Sequence, residues 1–168
     1  TGTASIDLLA DVGEQVTATT VHNPITLNLN GYTLTGHITV NNLNNVDRTF
    51  TLTDDNTQAD YNKAGKGGTL TAASGTLVNI KNQSNRPENI TVKLQGVTLT
   101  GSTRGVYAGS NVNLVAEGSS FSGLTVTTVN TNGAAISYGG VGTLVVNNCK
   151  FADNRVTANG HAGAIYMN

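Results

Sequence analysis

The sequence predicts an all-β solenoid of short, stacked parallel strands, and three observations carry that prediction. The first is composition: 168 residues include 26 Thr, 22 Asn and 20 Gly against two Pro, and only 11% are charged. Thr suits a pleated surface through its branched Cβ, whereas Asn and Gly tolerate the left-handed backbone that corners need. The second is a recurring phrase. Ile25 to Gly36, ITLNLNGYTLTG, returns 65 positions later as Ile90 to Gly101, ITVKLQGVTLTG, with eight of twelve positions unchanged. The third is a tighter repeat near the C-terminus, where Leu114 to Phe121, LVAEGSSF, aligns with Leu144 to Phe151, LVVNNCKF, at a spacing of 30. Gly133 and Gly163 each follow a Phe by twelve residues, and Ala135-Ile136 recurs as Ala164-Ile165. Turns recurring every 20 to 30 residues or so let each coil cover the apolar face of the one before. About six or seven coils are expected, with strands about 4.8 Å apart and like residues stacked: Ile136 over Ile165, Phe121 over Phe151, Leu114 over Leu144.

Taken in order, residues 5–21 offer Ile6, Leu8, Val16 and Val21 around an Asp11-Val12-Gly13 break. The Thr-rich continuation favours two short strands over a helix, and residues 1–24 are expected to cap the stack. Ile25, Leu27 and Leu29 alternate at period two, Asn30-Gly31 interrupts, and Tyr32 and Leu34 resume. Asn-Gly can close a hairpin. With strands this short and numerous, it reads instead as a corner between consecutive strands of a coil. Ile38, Val40, Phe50 and Leu52 continue the alternation across the Asn-rich link at 41–45. Residues 54–68, DDNTQADYNKAGKGG, have almost no apolar content and are expected to project as a loop, as are the polar residues 81–89. Leu70, Leu77, Val78 and Ile80 between them return to strand character. The coils are expected to run over 25–168, making residues 1–168 one domain.

Composition excludes several classes. With a net charge of −1, the chain shows no footprint for nucleic acid or an anionic membrane. No apolar run approaches the roughly 20 residues of a membrane span, and residues 1–10 lack a signal-peptide pattern. Cys149 is the single cysteine, so no internal disulfide and no thiolate metal cluster can form; beside Phe151 it reads as a small buried hydrophobe. Because the chain opens on TGTAS and stops on GAIYMN within a strand-like pattern, it is expected to be a piece of a longer protein.

Candidate chemistry is sparse. Glycoside hydrolysis needs paired acids, and the chain has ten Asp plus Glu in all. Asp54, Asp55 and Asp60 in the long loop could supply oxygen ligands to calcium if the loop curls; otherwise no cofactor is expected. Asp153, Arg155 and His161 lie close in sequence near the last coils but have no second acid beside them, and they read as corner and loop residues. His22 and His37 flank the first repeat without nearby acids and read as surface residues. Nucleophile motifs and phosphate-cradling loops are absent, and the glycosylation patterns at Asn82 and Asn89 are expected by chance in so Asn- and Thr-rich a chain. A binding surface has more support. With Val106, Ile136 and Ile165 stacked inward, Tyr107, Ser137 and Tyr166 fall in one outward column. Two coils place the tyrosines about 9 to 10 Å apart, a spacing that suits alternate sugars of an extended glycan or side chains of an extended peptide.

The run IDLLADV with ITLNLNGYTLTG resembles the opening coils of the pectate-lyase-like right-handed parallel β-helices of large bacterial surface proteins. Asn28 stands where those proteins more often carry Asp. FADN at 151–154 and AGAI at 162–165 are similar to the F-x-x-N and G-G-A-I repeats of chlamydial polymorphic outer-membrane proteins and related autotransporter passengers. Phe121 is followed by SGL without the Asn, and GAAI at 133–136 has Ala at the second glycine. The resemblance implies an extracellular, surface-displayed or secreted adhesin or stalk that contacts host cells, matrix or glycans without catalysis. A polysaccharide lyase or hydrolase on the same fold is the alternative, and self-association through open coil ends is a third reading, since fold does not dictate function.

Overall fold

The structure, a computed structural model, describes residues 3–19, 24–42, 48–55, 67–82, 90–101 and 103–168. Among them are 19 strands and no helix, and every strand pairing is parallel. The chain visits three sheets in a constant order. The first passage is β1 (Ala4–Asp7), a single bridge from Val12 to Leu34, and β2 (Val16–Thr19). The second is β3 (Ile25–Asn28), β4 (Thr33–Thr35) and β5 (Ile38–Asn42). The third is β6 (Arg48–Thr53), β7 (Thr69–Ala72) and β8 (Thr76–Asn82); the fourth is β9 (Ile90–Gln95), β10 (Thr98–Gly101) and β11 (Arg104–Ala108). The fifth comprises β12 (Val112–Glu117), β13 (Ser120–Ser122), β14 (Thr125–Val126) and β15 (Ile136–Tyr138). The sixth repeats it with β16 (Gly142–Asn147), β17 (Lys150–Ala152), β18 (Arg155–Val156) and β19 (Ile165–Met167).

The resulting sheets run β1-β3-β6-β9-β12-β16, β4-β7-β10-β13-β17 and β2-β5-β8-β11-β15-β19, with β14 and β18 as a short pair. This arrangement is all-β, parallel and consistent with a solenoid. Residues 4–19 form a passage of their own. β1 is exposed along its whole length, with Ile6 at 53%.

Period-two alternation puts one residue of each strand into a shared apolar column. The first sheet supplies Leu27, Leu52, Leu94, Ala116 and Val146 in register. The second supplies Leu34, Leu70, Leu99, Phe121 and Phe151, and the third Ile38, Val78, Val106, Ile136 and Ile165. All are buried up to the fifth passage, and only the sixth-passage members are half-exposed. Each fully buried Leu, Ile or Phe contributes about 1.5 to 3 kcal/mol from removal of apolar surface from water. The expected stacking of Leu114 on Leu144, Phe121 on Phe151 and Ile136 on Ile165 is present.

The twelve-residue repeat is registered in its second half only. Leu34 and Leu99 sit in one column through Leu70, as the sequence spacing predicts. In the first half, Leu27 rather than Leu29 aligns with Leu94. The cause is the Asn30-Gly31 corner. Both residues have positive φ, 51° and 77°, and the Tyr32 N–H donates to the Leu29 carbonyl at 2.9 Å. That is the signature of a tight Asn-Gly turn. It inserts two residues that the Gly96 corner lacks, and it joins strands of different sheets rather than a hairpin. Leu29 is then buried in the corner itself.

Candidate ligand-binding face

The outer face of the third sheet is where the sequence places its binding column, and the register is as expected: Asn79 beside Tyr107, Tyr107 beside Ser137, Ser137 beside Tyr166. Accessibility along that column is uneven. Tyr107 is 37% exposed and Tyr166 half-buried, but Ser137 is only 7% exposed and so presents almost no surface between them. Tyr166 is further occupied by His161, whose ring stacks on it with centroids 6.5 Å apart and planes 16° from parallel.

Arg104, which the sequence reading passed over, joins this face. Strict alternation back from Tyr107 would turn Arg104 inward. In β8, however, Leu77 and Val78 are both buried, and Gly105 and Val106 are both buried in β11. Two consecutive inward residues shift the parity, so Arg104 returns to the side of Tyr107. Gly105 makes this shift feasible: a Cβ there would lie 2.5 Å from the Ala135 carbonyl oxygen and 2.9 Å from Leu124 Cδ1. The Arg104 guanidinium carbon lies 5.3 Å from the Tyr107 ring centroid, a cation–π contact.

Beside Arg104 opens a cleft of about 420 Å³ built from three passages. Residues 73–76 and Asn79 come from the third, Thr103 and Arg104 from the fourth, and residues 125–128 with Thr131 from the fifth. Its size lies in the range of about 300–1,000 Å³ usual for ligand pockets. None of its lining residues is acidic. Thr103 is buried, and its hydroxyl donates to the Gly75 carbonyl at 2.5 Å. His37 Nδ1 lies 3.0 Å from the Thr76 carbonyl. His37, read from the sequence as a surface residue, is partly buried, and its ring sits against Gly75 and Thr76 at the edge of the cleft. Burial pulls the Arg104 guanidinium below its ordinary value, partly opposed by Tyr107. Its Nε is buried with no hydrogen-bond partner.

The acidic candidates have other partners. Asp54 accepts the Gly31 N–H and the Gly68 N–H, each at 2.6 Å, so its two oxygens tie both ends of the 54–68 segment to the Asn30-Gly31 corner. Asp55 Oδ1 accepts from Asn28 Nδ2 at 2.6 Å, and the same nitrogen donates to Asp7 Oδ1 at 3.0 Å. Asn28 Oδ1 in turn accepts the Asn30 N–H and the Asp55 N–H. An aspartate at position 28 would face two carboxylates, which explains why an amide stands there. Asp60 and His22 lie outside the described residues, as do positions 56–66 and 83–89 of the two expected loops; Lys81 and Asn82 continue β8. Among the described residues no three His, Cys, Asp or Glu side chains gather in a metal-binding group.

Asp153 and Arg155 line a smaller depression with Gly123, Thr125 and Asn154, and Asp153 takes a corner conformation at φ 56°. His161 is not part of it; its N–H donates to Asn132 Oδ1 at 2.8 Å. Cys149 is half-buried against the core, and its thiol donates to the Asn147 carbonyl at 3.3 Å.

No family model, curated protein or solved structure matches the chain.

Proposed function

We propose that the chain is a closed right-handed parallel β-helix acting as a non-catalytic binding module, an adhesin or stalk displayed outside a bacterial cell, and that the outer face of the third sheet contacts an extended glycan of host or matrix origin. The constant order in which the chain visits three parallel sheets supports the helical closure. The observation that carries the function is the polar, open cleft of about 420 Å³ lined by Arg104, whose guanidinium lies against the Tyr107 ring, with no acid in its lining. General acid–base cleavage of a glycan needs carboxylates at the bond, so the cleft suits holding a sugar better than cutting it. The test is a glycan and matrix-protein binding screen with the wild-type chain and the Tyr107→Ala/Tyr166→Ala double variant. Binding that weakens at least tenfold in the variant supports the reading; binding that is unchanged, or new reducing ends released from bound polysaccharide, overturns it.

A further inference from the structure

Arg104 is a cation with an unmet requirement. Its Nε is out of contact with water and has no hydrogen-bond partner, and no acidic residue lines the cleft it borders. A partly desolvated guanidinium is normally matched by a carboxylate or by several acceptors, because removing a charge from water without compensation is costly. Here the Tyr107 ring at 5.3 Å is the compensation present among the described residues, and a cation–π contact replaces only part of what hydration supplies.

We infer that the cleft takes the carboxylate of an acidic sugar, with Arg104 as its counter-charge and the surrounding hydroxyls as partners for the sugar ring. This inference rests on the glycan-binding reading above and specifies the ligand class for the same face. Three features select the ligand. A single guanidinium suits a singly charged, planar carboxylate, which its donor fork matches, whereas phosphate recognition draws on several cations. The remaining wall is rich in small hydroxyl and amide groups, among them Ser74, Thr76, Asn79, Thr125 and Thr128, which can both donate to and accept from sugar hydroxyls. Tyr107, 37% exposed and in contact with the Arg104 guanidinium, offers apolar ring surface to sugar C–H groups outside the cleft's own lining. A peptide carboxylate is less well served: the side chains of a peptide seek apolar pockets, and the lining supplies only Val126 and Ala73 as apolar side chains.

The experiment compares matched ligands on the intact chain by titration calorimetry: sialylated and uronate-containing oligosaccharides, each beside its carboxyl-reduced counterpart, and an acidic peptide. The expected result is at least tenfold tighter binding of one acidic glycan than of its reduced form, a preference that falls with added salt. Arg104→Gln should abolish the preference while leaving the weaker binding of the reduced glycan in place, and Arg104→Lys should restore it only partly. Because the reduced ligand tests the wild-type chain directly, the inference does not depend on the variants folding. Equal binding of the acidic and reduced glycans overturns the carboxylate assignment but leaves the adhesive reading intact. Arg104-dependent binding of the peptide in place of glycans overturns the sugar assignment, and binding to no glycan at all overturns both.

Discussion

Phe121 and Phe151 lie ring over ring, with centroids 5.0 Å apart and planes 5° from parallel. Aromatic pairs left to themselves favour offset or edge-to-face arrangements. The parallel-plane geometry here, in place of an edge-to-face one, follows from register: β13 and β17 pair residue for residue, and strand spacing of about 4.8 Å holds the rings at a similar separation. Phe121 is fully buried in the second-sheet column, whereas Phe151, one passage further on, is half-exposed.

Phe121→Ala should therefore cost about 3 to 5 kcal/mol, the range for removing a buried aromatic and leaving a cavity. Phe151→Ala should cost clearly less, because part of that ring already faces solvent. Denaturant titration of the two variants checks the order; equal losses would mean that the two rings are equally buried in solution.

Asp54 offers a second test. Its carboxylate holds the Gly31 and Gly68 amides together at 2.6 Å each, and hydrogen bonds to charged groups are stronger than neutral ones. Allowing for its partial exposure, Asp54→Ala should lower stability by about 2 kcal/mol. Asp54→Asn, which keeps one acceptor oxygen but loses the charge, should fall between. An unchanged melting temperature for the alanine variant would remove Asp54 from any structural role.

Asn154 bridges two passages: Nδ2 donates to the Phe121 carbonyl at 2.8 Å and Oδ1 accepts the Leu124 N–H at 3.1 Å. Asn154→Asp retains the acceptor and loses the donor. Both Asn154→Ala and Asn154→Asp should destabilise by about 1 to 3 kcal/mol, since each leaves a backbone group without its partner. A neutral aspartate variant would show that the Phe121 carbonyl is satisfied by water.

Tyr138, 2% exposed, donates its hydroxyl to the Val112 carbonyl at 2.8 Å. Burial raises its pKa above the ordinary value of 10.0, because the folded chain disfavours the phenolate. The sign follows by linkage: the contribution to stability is complete below the unfolded pKa and is lost as pH rises through the higher folded one. Melting temperature should thus drop above pH 10 in the wild type, and less steeply in Tyr138→Phe, which should be about 1 kcal/mol less stable at neutral pH. Parallel alkaline profiles for the two proteins would refute this.

Cys149 occupies the corner position that Ser119 fills one passage earlier. Ser119 Oγ donates to the Glu117 carbonyl at 3.1 Å, matching the Cys149 thiol on Asn147. Cys149→Ser should accordingly change stability by less than about 0.5 kcal/mol. A loss several times larger would indicate that the sulfur's apolar contacts matter more than its hydrogen bond.

Much of the architecture was legible because a stack of parallel strands converts sequence period into spatial neighbourhood. The alternation in Ile90 to Leu94 and the spacing of 30 between Phe121 and Phe151 carry the information that the hydrogen-bonded register uses. Tyr107, Ser137 and Tyr166 could be aligned for the same reason. The Asn154 bridge was visible only as a motif letter, since its partners are carbonyl and amide groups that any residue could have supplied.

What the sequence by itself determined is the class of strand, the turn at Asn30-Gly31 and the like-on-like columns, all properties of short segments and their repetition. What only the tertiary structure decided is where those rules slip. The two residues added at the corner displace Leu29 from the column that Leu27 enters, and the paired inward residues at Gly105 and Val106 turn Arg104 outward. The cleft is likewise invisible in one dimension: residues 73–76, Arg104 and residues 125–128 with Thr131 meet there because stacking brings three passages side by side. Ser137 fits the outward column by period and is still almost wholly buried, because period sets only which way a side chain faces, and accessibility depends on what else packs over that face.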